Sequence, residues 1–366
     1  MICVVFGTTG ELIKLAPVLV RVRDREADYV LATTGQQATQ IAPLLDELGL
    51  PQPDLWLARG ARGRDLQANT DIPAWLARVL RTAGGERRAL GARLRRGAGK
   101  PLVLVQGDTM TTLLGALTGR ALRLPVAHIE AGMRSGDLRH PFPEEPIRRL
   151  VSRIATIHYA PGAHAVANLR GGEIVDTGVN TIRDSLELVV DSTPALDLPA
   201  DPFGVVSLHR FELINDRARL TATVDALADA AQATPLLFVD HPVTVEMLER
   251  FRLTDRFDDR LRRVPRLRFF PFVALLRRAS FAVTDSGGSQ EECWILDIPC
   301  LVHRKTSEHP EGVGENVVVS GYRIDVLRAF LADPLKHRRL EPLPAGSPAD
   351  VIVDDLARRG FVVPRG

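Results

Sequence analysis

Short runs of aliphatic and β-branched residues alternate along the chain with longer stretches whose apolar residues recur every three or four positions. In the first half, the short runs end in a glycine or a polar turn: MICVVFG, YVLATTG, LVLVQGD, VAHIEAG and TIHYAPG. The stretches between them have the spacing of amphipathic helices: ELIKLAPVLVRVRD, QQATQIAPLLDELG, IPAWLARVLRTAGG and TMTTLLGALTGRALR. Strand–helix alternation of this kind predicts a parallel, doubly wound sheet.

A second series of strands and helices begins near residue 173 with GEIVDTG and continues with FGVVSLHR, PLLFVDHP, LRFFPF, FAVTDSGG and IPCLVHRK. Because 366 residues exceed what one hydrophobic core normally holds, we expect two domains. The pattern therefore predicts an α/β protein with two Rossmann-like αβα domains facing each other across a cleft, residues 1–172 and 173–349. The amphipathic helix expected within 350–366 would dock back onto the first domain.

The composition excludes several classes of protein. A net charge of +2 gives no reason to expect a nucleic-acid partner. The three cysteines are too few and too scattered for a disulfide framework or a zinc site. No apolar stretch reaches the roughly 18 residues of a membrane span, and the N-terminus enters a strand without a secretory leader. These features predict a cytoplasmic protein with no bound metal.

Polar residues follow the predicted strands at the point where each strand ends. The positions are Gly7 to Glu11, Gly107 to Thr109, His128 with Glu130, His209 with Arg210, and Asp285 to Gly288. In open α/β sheets, ligands bind beyond the carboxyl ends of the strands, where the following loops converge. The sequence therefore predicts a ligand site built from these turns.

The segment TDSGGSQEECWIL has the pattern of a phosphate site. Gly287 and Gly288 follow a strand, so the chain can turn tightly and bring backbone N–H groups toward a ligand. The residues after them are predicted to form a helix, whose N-terminus attracts phosphate. Glu291 and Glu292 would either stabilise that helix end or contact a ribose diol.

The segment HIEAGMRSGDLRHPFPEEPIRRL, residues 128–150, is too densely charged for a core. Its carboxylates Glu130, Glu144 and Glu145 lie among arginines such as Arg148, and its prolines indicate a loop between a strand and a helix. Asp137, also in this segment, lies outside the part of the chain that the structure describes. For Asp137 and Glu145 the simpler prediction is ion-paired scaffolding of the loop.

Together these segments resemble the non-hydrolysing bacterial UDP-N-acetylglucosamine 2-epimerase family over essentially the whole chain. FGTTGELIKLAPV resembles the family's first βα turn, VQGDTMTT its Gly-Asp-Thr turn, and residues 128–149 its central signature. TGVNTIRDSL resembles its domain-crossing turn, and LTDSGGSQEE with RKTSEHPEG its nucleotide site. The resemblance implies a GT-B architecture, no cofactor, a homodimer, and C2 epimerisation of UDP-N-acetylglucosamine by elimination and re-addition of UDP.

The resemblance also assigns residues. It implies catalytic roles for Asp108, Glu130, Glu144 and His209. It implies contacts with substrate or UDP for a larger set: Lys14, Arg148, Arg210, His241, Phe272, Ser286, Gly287, Gly288, Glu292 and Arg304. Within this set, Phe272 would stack on uracil, Glu292 would bind ribose, and Ser286 and Gly287 would hold the β-phosphate.

Several positions depart from the family's pattern. Thr9, Gly10, Gln37 and Phe211 stand where members usually have larger or more cationic residues. The losses concentrate where members bind a second UDP-N-acetylglucosamine as activator. Three interpretations follow: an epimerase with altered activation, a glycosyltransferase whose acceptor occupies the second pocket, or a non-catalytic nucleotide-binding relative. We expect a less charged second ligand, or an acceptor, in that pocket.

Overall fold

The computed structural model describes residues 1–66, 69–136, 142–189, 196–200, 202–307, 309–343 and 345–365. The chain divides into two compact units, Met1–Leu188 with Pro344–Gly366, and Val189–Leu343. Each unit contains one sheet in which every strand pairs in parallel with its neighbours. Helices connect successive strands, except that no helix in the described residues lies between the last two strands of the second sheet. The predicted fold class, an α/β protein with two Rossmann-like domains of the GT-B type, is confirmed.

The first unit is built on a seven-stranded sheet with the order β3-β2-β1-β4-β5-β6-β7. Its strands are β1 (Ile2–Phe6), β2 (Tyr29–Thr33), β3 (Leu55–Trp56), β4 (Leu102–Gln106), β5 (Val126–Ile129), β6 (Ile157–Ala160) and β7 (Glu173–Asp176). The central strands are largely apolar and fully buried, as expected for parallel strands covered by helices on both faces. The chain reverses its direction of travel across the sheet between β1 and β4.

Eight helices cover this sheet in the described part of the first unit. They are α1 (Thr9–Asp24), α2 (Ala38–Glu47), α3 (Ile72–Arg96), α4 (Met110–Ala121), α5 (Glu144–Ile154), α6 (Ala163–Ala167), α7 (Ile182–Glu187) and, after the second unit, α14 (Pro348–Arg358). Helices α1 and α4 are N-capped by Thr8 and Thr109, whose hydroxyls accept hydrogen bonds from backbone N–H groups of the first turn. These caps fix both helices directly behind β1 and β4.

The boundary predicted between residues 172 and 173 is wrong. Strand β7 was expected to open the second domain, but it pairs in parallel with β6 at the edge of the first sheet. Helix α7 also belongs to the first unit, where the Ser185 hydroxyl donates to the carbonyl oxygen of Ile13 at 2.8 Å. The pairing partner of a short, largely exposed edge strand cannot be read from its own residues, and this explains the error.

The C-terminal helix α14 packs against α1 within the first unit. Its buried face carries Ile352, Val353 and Leu356. At its start, the backbone N–H of Ala349 donates to the Asp184 carboxylate at 2.7 Å. The chain thus returns to its first unit after completing the second.

The second unit has a six-stranded sheet with the order β10-β9-β8-β11-β12-β13. Its strands are β8 (Gly204–Ser207), β9 (Leu236–Val239), β10 (Leu261–Val264), β11 (Phe281–Thr284), β12 (Cys300–Val302) and β13 (Val317–Val319). Its helices are α8 (Phe211–Ile214), α9 (Arg217–Ala231), α10 (Pro242–Arg250), α11 (Phe269–Arg278), α12 (Gly287–Ile295) and α13 (Ile324–Ala332). The chain reverses its direction across this sheet between β8 and β11.

One predicted strand is a helix. LRFFPF was expected to form a strand, yet Phe269–Arg278 is helix α11. Pro271 lies in the first helical turn, where its missing N–H removes no intrahelical hydrogen bond, and Val273, Leu275 and Leu276 continue the pattern as one buried face. No helix in the described ranges is long and apolar enough to cross a membrane.

Candidate active site

The first candidate site lies where the chain reverses direction in the first sheet. Strands β1 and β4 are neighbours there, and the helices that follow them leave on opposite faces. The turn from Gly7 to Glu11 and the turn from Gly107 to Thr109 therefore open side by side at the carboxyl edge. Gly107 has a positive φ of 74°, and a Cβ at this position would lie 4.0 Å from a carboxylate oxygen of Glu130. The β4 turn thus approaches Glu130, the residue directly after β5.

Glu11 joins the two turns, although its side chain is buried. One of its oxygens accepts from the backbone N–H groups of Gly7 at 2.8 Å and Thr8 at 2.9 Å. The other accepts from the hydroxyls of Thr109 at 2.6 Å and Thr112 at 3.3 Å. Burial raises the pKa of Glu11 above its usual value, and these hydrogen bonds oppose that shift. Glu11 therefore fixes the relative position of the loops that carry the candidate chemistry.

The raised pKa of Glu11 gives a testable dependence of stability on pH. A folded-state pKa above the unfolded value means that the protonated form favours folding, so this stability is lost as pH rises from about 4.3 through the folded pKa. Glu11→Gln removes the titration and costs about 1–3 kcal/mol through imperfect hydrogen bonding. In urea unfolding, we expect the difference in free energy of unfolding between wild type and variant to become smaller as pH rises. Glu86→Gln, at an exposed site on α3, serves as the control, and parallel pH curves for wild type and Glu11→Gln would contradict this account.

Glu130 directly follows β5 and has a left-handed backbone conformation, with φ at 66°. This conformation costs a non-glycine residue about 1–3 kcal/mol, so surrounding contacts must hold it. Lys14 supplies two of them, because its ammonium lies 3.0 Å from each carboxylate oxygen of Glu130. The Gln106 amide donates to the same carboxylate. Both carboxylate oxygens therefore have donors within the first unit.

Asp108 and Arg148 form a second charged pair at the same edge. The Arg148 Nε donates to the Asp108 carboxylate at 2.8 Å, and a terminal nitrogen of Arg148 lies 2.6 Å from the same oxygen. Arg148 also lies 3.5 Å from Glu145, which is fully buried. Glu145 accepts from the backbone N–H of Ser135 at 3.1 Å and from Arg149 at 3.0 Å. Glu145 is thus ion-paired scaffolding, as predicted.

Glu144 and Asp108 both line a cavity of about 340 Å³. The cavity wall is largely apolar, with Leu66, Trp75 and Ile147 among its residues. One carboxylate oxygen of Glu144 is buried and has no hydrogen-bond partner among the described residues. The third candidate carboxylate thus faces an environment different from that of Asp108 and Glu130.

The departure at Thr9 has a structural partner in the departure at Gln37. The Gln37 side-chain oxygen accepts from both the backbone N–H and the hydroxyl of Thr9, each at 2.8 Å. The N–H groups of Gly7 and Thr8 are bound to Glu11. Three consecutive N–H groups at the start of α1 are thus occupied by side chains of this chain.

The second candidate site lies where the chain reverses direction in the second sheet. Strands β8 and β11 are neighbours, and the carboxyl edge there carries His209 with Arg210 and Asp285 with Ser286. The buried Asp285 carboxylate accepts from the backbone N–H of His209 at 2.9 Å and that of Arg210 at 2.8 Å. The Arg210 Nε also donates to the Asp285 carbonyl oxygen at 3.1 Å. Asp285 therefore fixes the two basic residues beside the turn that leads to α12.

His209 stacks on His241, which follows β9. The ring centroids are 4.4 Å apart with an interplanar angle of 28°. The His241 Nε2 lies 3.0 Å from the Ser207 hydroxyl. Burial lowers the pKa of His209 and lowers that of His241 to about 4, with His209 and Arg266 adding to the shift at His241. Both imidazoles are therefore neutral near neutral pH.

Helix α12 begins directly after Asp285 and Ser286 and contributes its N-terminus to the second candidate site. The Ser286 hydroxyl accepts from the backbone N–H of Ser289, at 3.4 Å. The N–H groups of Gly287 and Gly288 begin the helix, and in the described part of the chain no hydrogen bond satisfies them. Such N–H groups and the helix dipole favour an anion at this position. Glu292 lies buried one turn further along the helix.

The structure distributes the predicted site residues over the two units. The first unit brings together Lys14, Asp108, Glu130, Glu144 and Arg148, and the second brings together His209, Arg210, His241, Ser286, Gly287 and Gly288. Phe272 lies on α11, half-buried against the core, and Arg304 lies two residues after β12. The described residues contain no cluster of three or more His, Cys, Asp or Glu side chains that could hold a metal ion. The roles of the predicted residues stay predictions.

Sequence reasoning placed Glu11 and Asp285 in the predicted ligand-site turns but did not single out Gln106, and it did not predict that these three residues fix the edges. A signal existed in each case, because all three are polar residues at or just after the end of a strand or its turn. Their contacts reach residues 98, 24 and 76 positions away. Contacts between residues so far apart in sequence depend on the order of the strands in the sheet, and that order is not visible in the local sequence pattern.

Comparisons with known proteins agree with this architecture. A UDP-N-acetylglucosamine 2-epimerase of Methanocaldococcus jannaschii is 28% identical over 352 residues, covering 89% of this chain and 90% of that protein. A UDP-2,3-diacetamido-2,3-dideoxy-D-glucuronate 2-epimerase of Pseudomonas aeruginosa is 31% identical, covering 88% and 89%. The M. jannaschii UDP-GlcNAc 2-epimerase has a crystal structure in complex with UDP-GlcNAc and UDP. It superposes with a TM-score of 0.76 at 26% identity, covering 98% of this chain and 99% of that one.

The family comparison covers most of the chain. The family model described as UDP-N-acetylglucosamine 2-epimerase matches residues 92–340, from the last turns of α3 to the segment after α13. This range includes Asp108, Glu130 and Glu144 in the first unit and the whole sheet of the second. On this match, the chain belongs to the UDP-N-acetylglucosamine 2-epimerase family.

Proposed function

We propose that the protein interconverts UDP-N-acetylglucosamine and its C2 epimer, UDP-N-acetylmannosamine. One observation carries the proposal: Asp108, Glu130 and Glu144 meet at one sheet edge, where two of them are held by cations. Lys14 holds Glu130, and Arg148 holds Asp108. A protein that only bound a nucleotide would have no need for three carboxylates beside the sugar.

The reaction explains why carboxylates are required. C2 of the sugar has no adjacent carbonyl, so its hydrogen is not acidic enough for simple removal and return. Elimination of UDP across C1 and C2 gives 2-acetamidoglucal, and UDP adds again after the opposite face of C2 is protonated. The route needs a base, an acid and stabilisation of the departing diphosphate. Asp108, Glu130 and Glu144 would exchange the protons, and no cofactor is required.

The second unit would hold the UDP. The N–H groups of Gly287 and Gly288 begin a nine-residue helix and suit the β-phosphate. Arg210, fixed by Asp285, would compensate its charge, and His209, fixed by the same carboxylate, would lie beside it. We assign Glu292 to the ribose, Phe272 to uracil and Arg304 to the diphosphate. These assignments follow from position and residue type together with membership of the family.

The proposal predicts that the purified protein forms the manno epimer from UDP-N-acetylglucosamine. In deuterated water the product should carry deuterium at C2, because the proton returned to C2 comes from a carboxyl group that exchanges with solvent. Proton NMR measures both the conversion and the isotope. Conversion without deuterium at C2 would contradict the elimination route.

The same experiment separates the alternatives. The P. aeruginosa relative is named for a diacetamido glucuronate, so UDP-2,3-diacetamido-2,3-dideoxy-D-glucuronate is the second substrate to test. If only that compound is converted, the substrate is the uronate and the reaction is still an epimerisation at C2. Release of UDP only after an acceptor is added would instead indicate glycosyl transfer.

The contact between Thr9 and Gln37 supports the expected change in the second ligand. A phosphate at the start of α1 would have to displace the Gln37 oxygen and the Glu11 carboxylate from three N–H groups. We therefore infer that a dianionic activator binds poorly at this turn, and that any second ligand is less charged. Phe211, in the second unit, is largely exposed and available to an apolar ligand. The homodimer and the cytoplasmic location stay predictions.

A further inference from the structure

The stacked pair formed by His209 and His241 has an incomplete hydrogen-bond arrangement. The His209 Nδ1 is buried and makes no hydrogen bond with a described residue. It nevertheless lies 3.4 Å from a carboxylate oxygen of Asp285. In a neutral imidazole only one ring nitrogen carries a hydrogen, so His209 cannot donate toward Asp285 and toward a ligand at the same time. Protonation would provide both donors.

The surroundings explain why the free protein leaves His209 neutral. Burial lowers its pKa, Arg210 and Arg266 lower it further, and the Asp285 carboxylate opposes them. Asp285 is itself engaged by backbone N–H groups of His209 and Arg210, which reduces its attraction for an added charge. A dianionic ligand at the nearby start of α12 would reverse this balance, since it adds two negative charges.

His241 is placed to stay neutral. Its Nε2 is engaged with the Ser207 hydroxyl, and its ring stacks on His209. The positive charge of Arg266 further lowers the pKa of His241. The neighbouring Asp240 is held by Arg263 through two contacts of 2.9 Å. Two cationic rings stacked at 4.4 Å would repel each other, so the pair accepts one proton only.

We propose that binding of the UDP-sugar diphosphate in the second unit is coupled to uptake of one proton by His209, which then bridges Asp285 and the ligand, while His241 stays neutral as its stacking partner. The inference rests on the proposed function, because that function places a diphosphate at the start of α12. It predicts that affinity for the nucleotide sugar falls as pH rises. The limit is about tenfold per pH unit if one full proton is taken up.

Calorimetry tests this coupling directly. UDP-N-acetylglucosamine is titrated into the protein in two buffers of different ionisation enthalpy, near pH 6.5. Its diphosphate is esterified at both ends and does not itself titrate there, and epimerisation neither consumes nor releases a proton. We expect uptake of about half a proton or more per bound molecule. Binding without measurable uptake would overturn the inference but leave the proposed function intact, whereas absence of binding would count against the proposed function.

Variants locate the proton. His209→Asn should reduce the uptake to near zero and weaken binding. His241→Asn should keep the uptake, and it should fold because asparagine is favoured at the N-cap position that His241 occupies on α10. The control is His164→Asn, at an exposed position of the first unit, which should leave both uptake and affinity unchanged. Full uptake in His209→Asn would assign the proton to another group and overturn the proposal.

Discussion

Replacing Glu130 by glutamine should lower kcat for epimerisation about 100- to 10,000-fold, the range expected when a general acid or base is lost. Glutamine keeps the size of the side chain but cannot carry the proton. It also leaves the Lys14 ammonium, which is largely buried, without its carboxylate at 3.0 Å. The variant should still bind UDP with nearly unchanged affinity, because the groups proposed above for the uracil, the ribose and the diphosphate belong to the second unit.

The two readouts distinguish a chemical role from a structural one. Rates are followed by proton NMR with UDP-N-acetylglucosamine, and UDP affinity is measured by calorimetry on the same preparation. Glu86→Gln makes the same chemical change at an exposed position of α3 and should keep the wild-type rate. If Glu130→Gln retained more than about a tenth of the wild-type kcat, Glu130 would not be a proton carrier in this reaction.

Much of the site could be predicted because parallel strands share one carboxyl edge. Gly107 to Thr109, Glu130, His209 and Asp285 all follow apolar runs, so a correct strand assignment was enough to place them at an edge. The left-handed backbone of Glu130 and its contact with Lys14, 116 residues earlier, could not be predicted in this way. They depend on strand order, which follows from how the helices pack on the sheet.

The errors in predicted structure have equally local causes. β7 is four residues long and mostly exposed, so its own pattern does not say which sheet it joins. LRFFPF is rich in aromatic residues, which favour strands, but the buried face that decides the matter lies after it, in Val273, Leu275 and Leu276. For β7 the strand itself was predicted correctly and only its sheet was not. Only in LRFFPF did helix packing override local propensity.

Replacing Gly287 by valine should abolish measurable UDP binding while the second unit stays folded. Gly287 is the first residue of α12 and is buried, at the position where N–H groups would meet the β-phosphate. A branched side chain there would prevent a phosphate from approaching the backbone of Gly287 and Gly288. Asp285 and Ser286 would keep their contacts, so the turn itself should persist.

A graded pair of variants separates obstruction of the ligand from damage to the fold. In Gly288→Ala the added Cβ would meet the Ser286 hydroxyl at 3.7 Å, an ordinary contact, so the protein should fold and bind UDP more weakly. Gly84→Val, on α3, places a valine where an added Cβ has no neighbour within 4 Å, and it controls for valine in a helix. Calorimetry measures the affinity, and circular dichroism with thermal unfolding measures the fold. A folded Gly287→Val protein with wild-type affinity for UDP would mean that the diphosphate binds elsewhere. It would also remove the basis for proton uptake at His209, because that coupling requires the charge of the ligand beside α12.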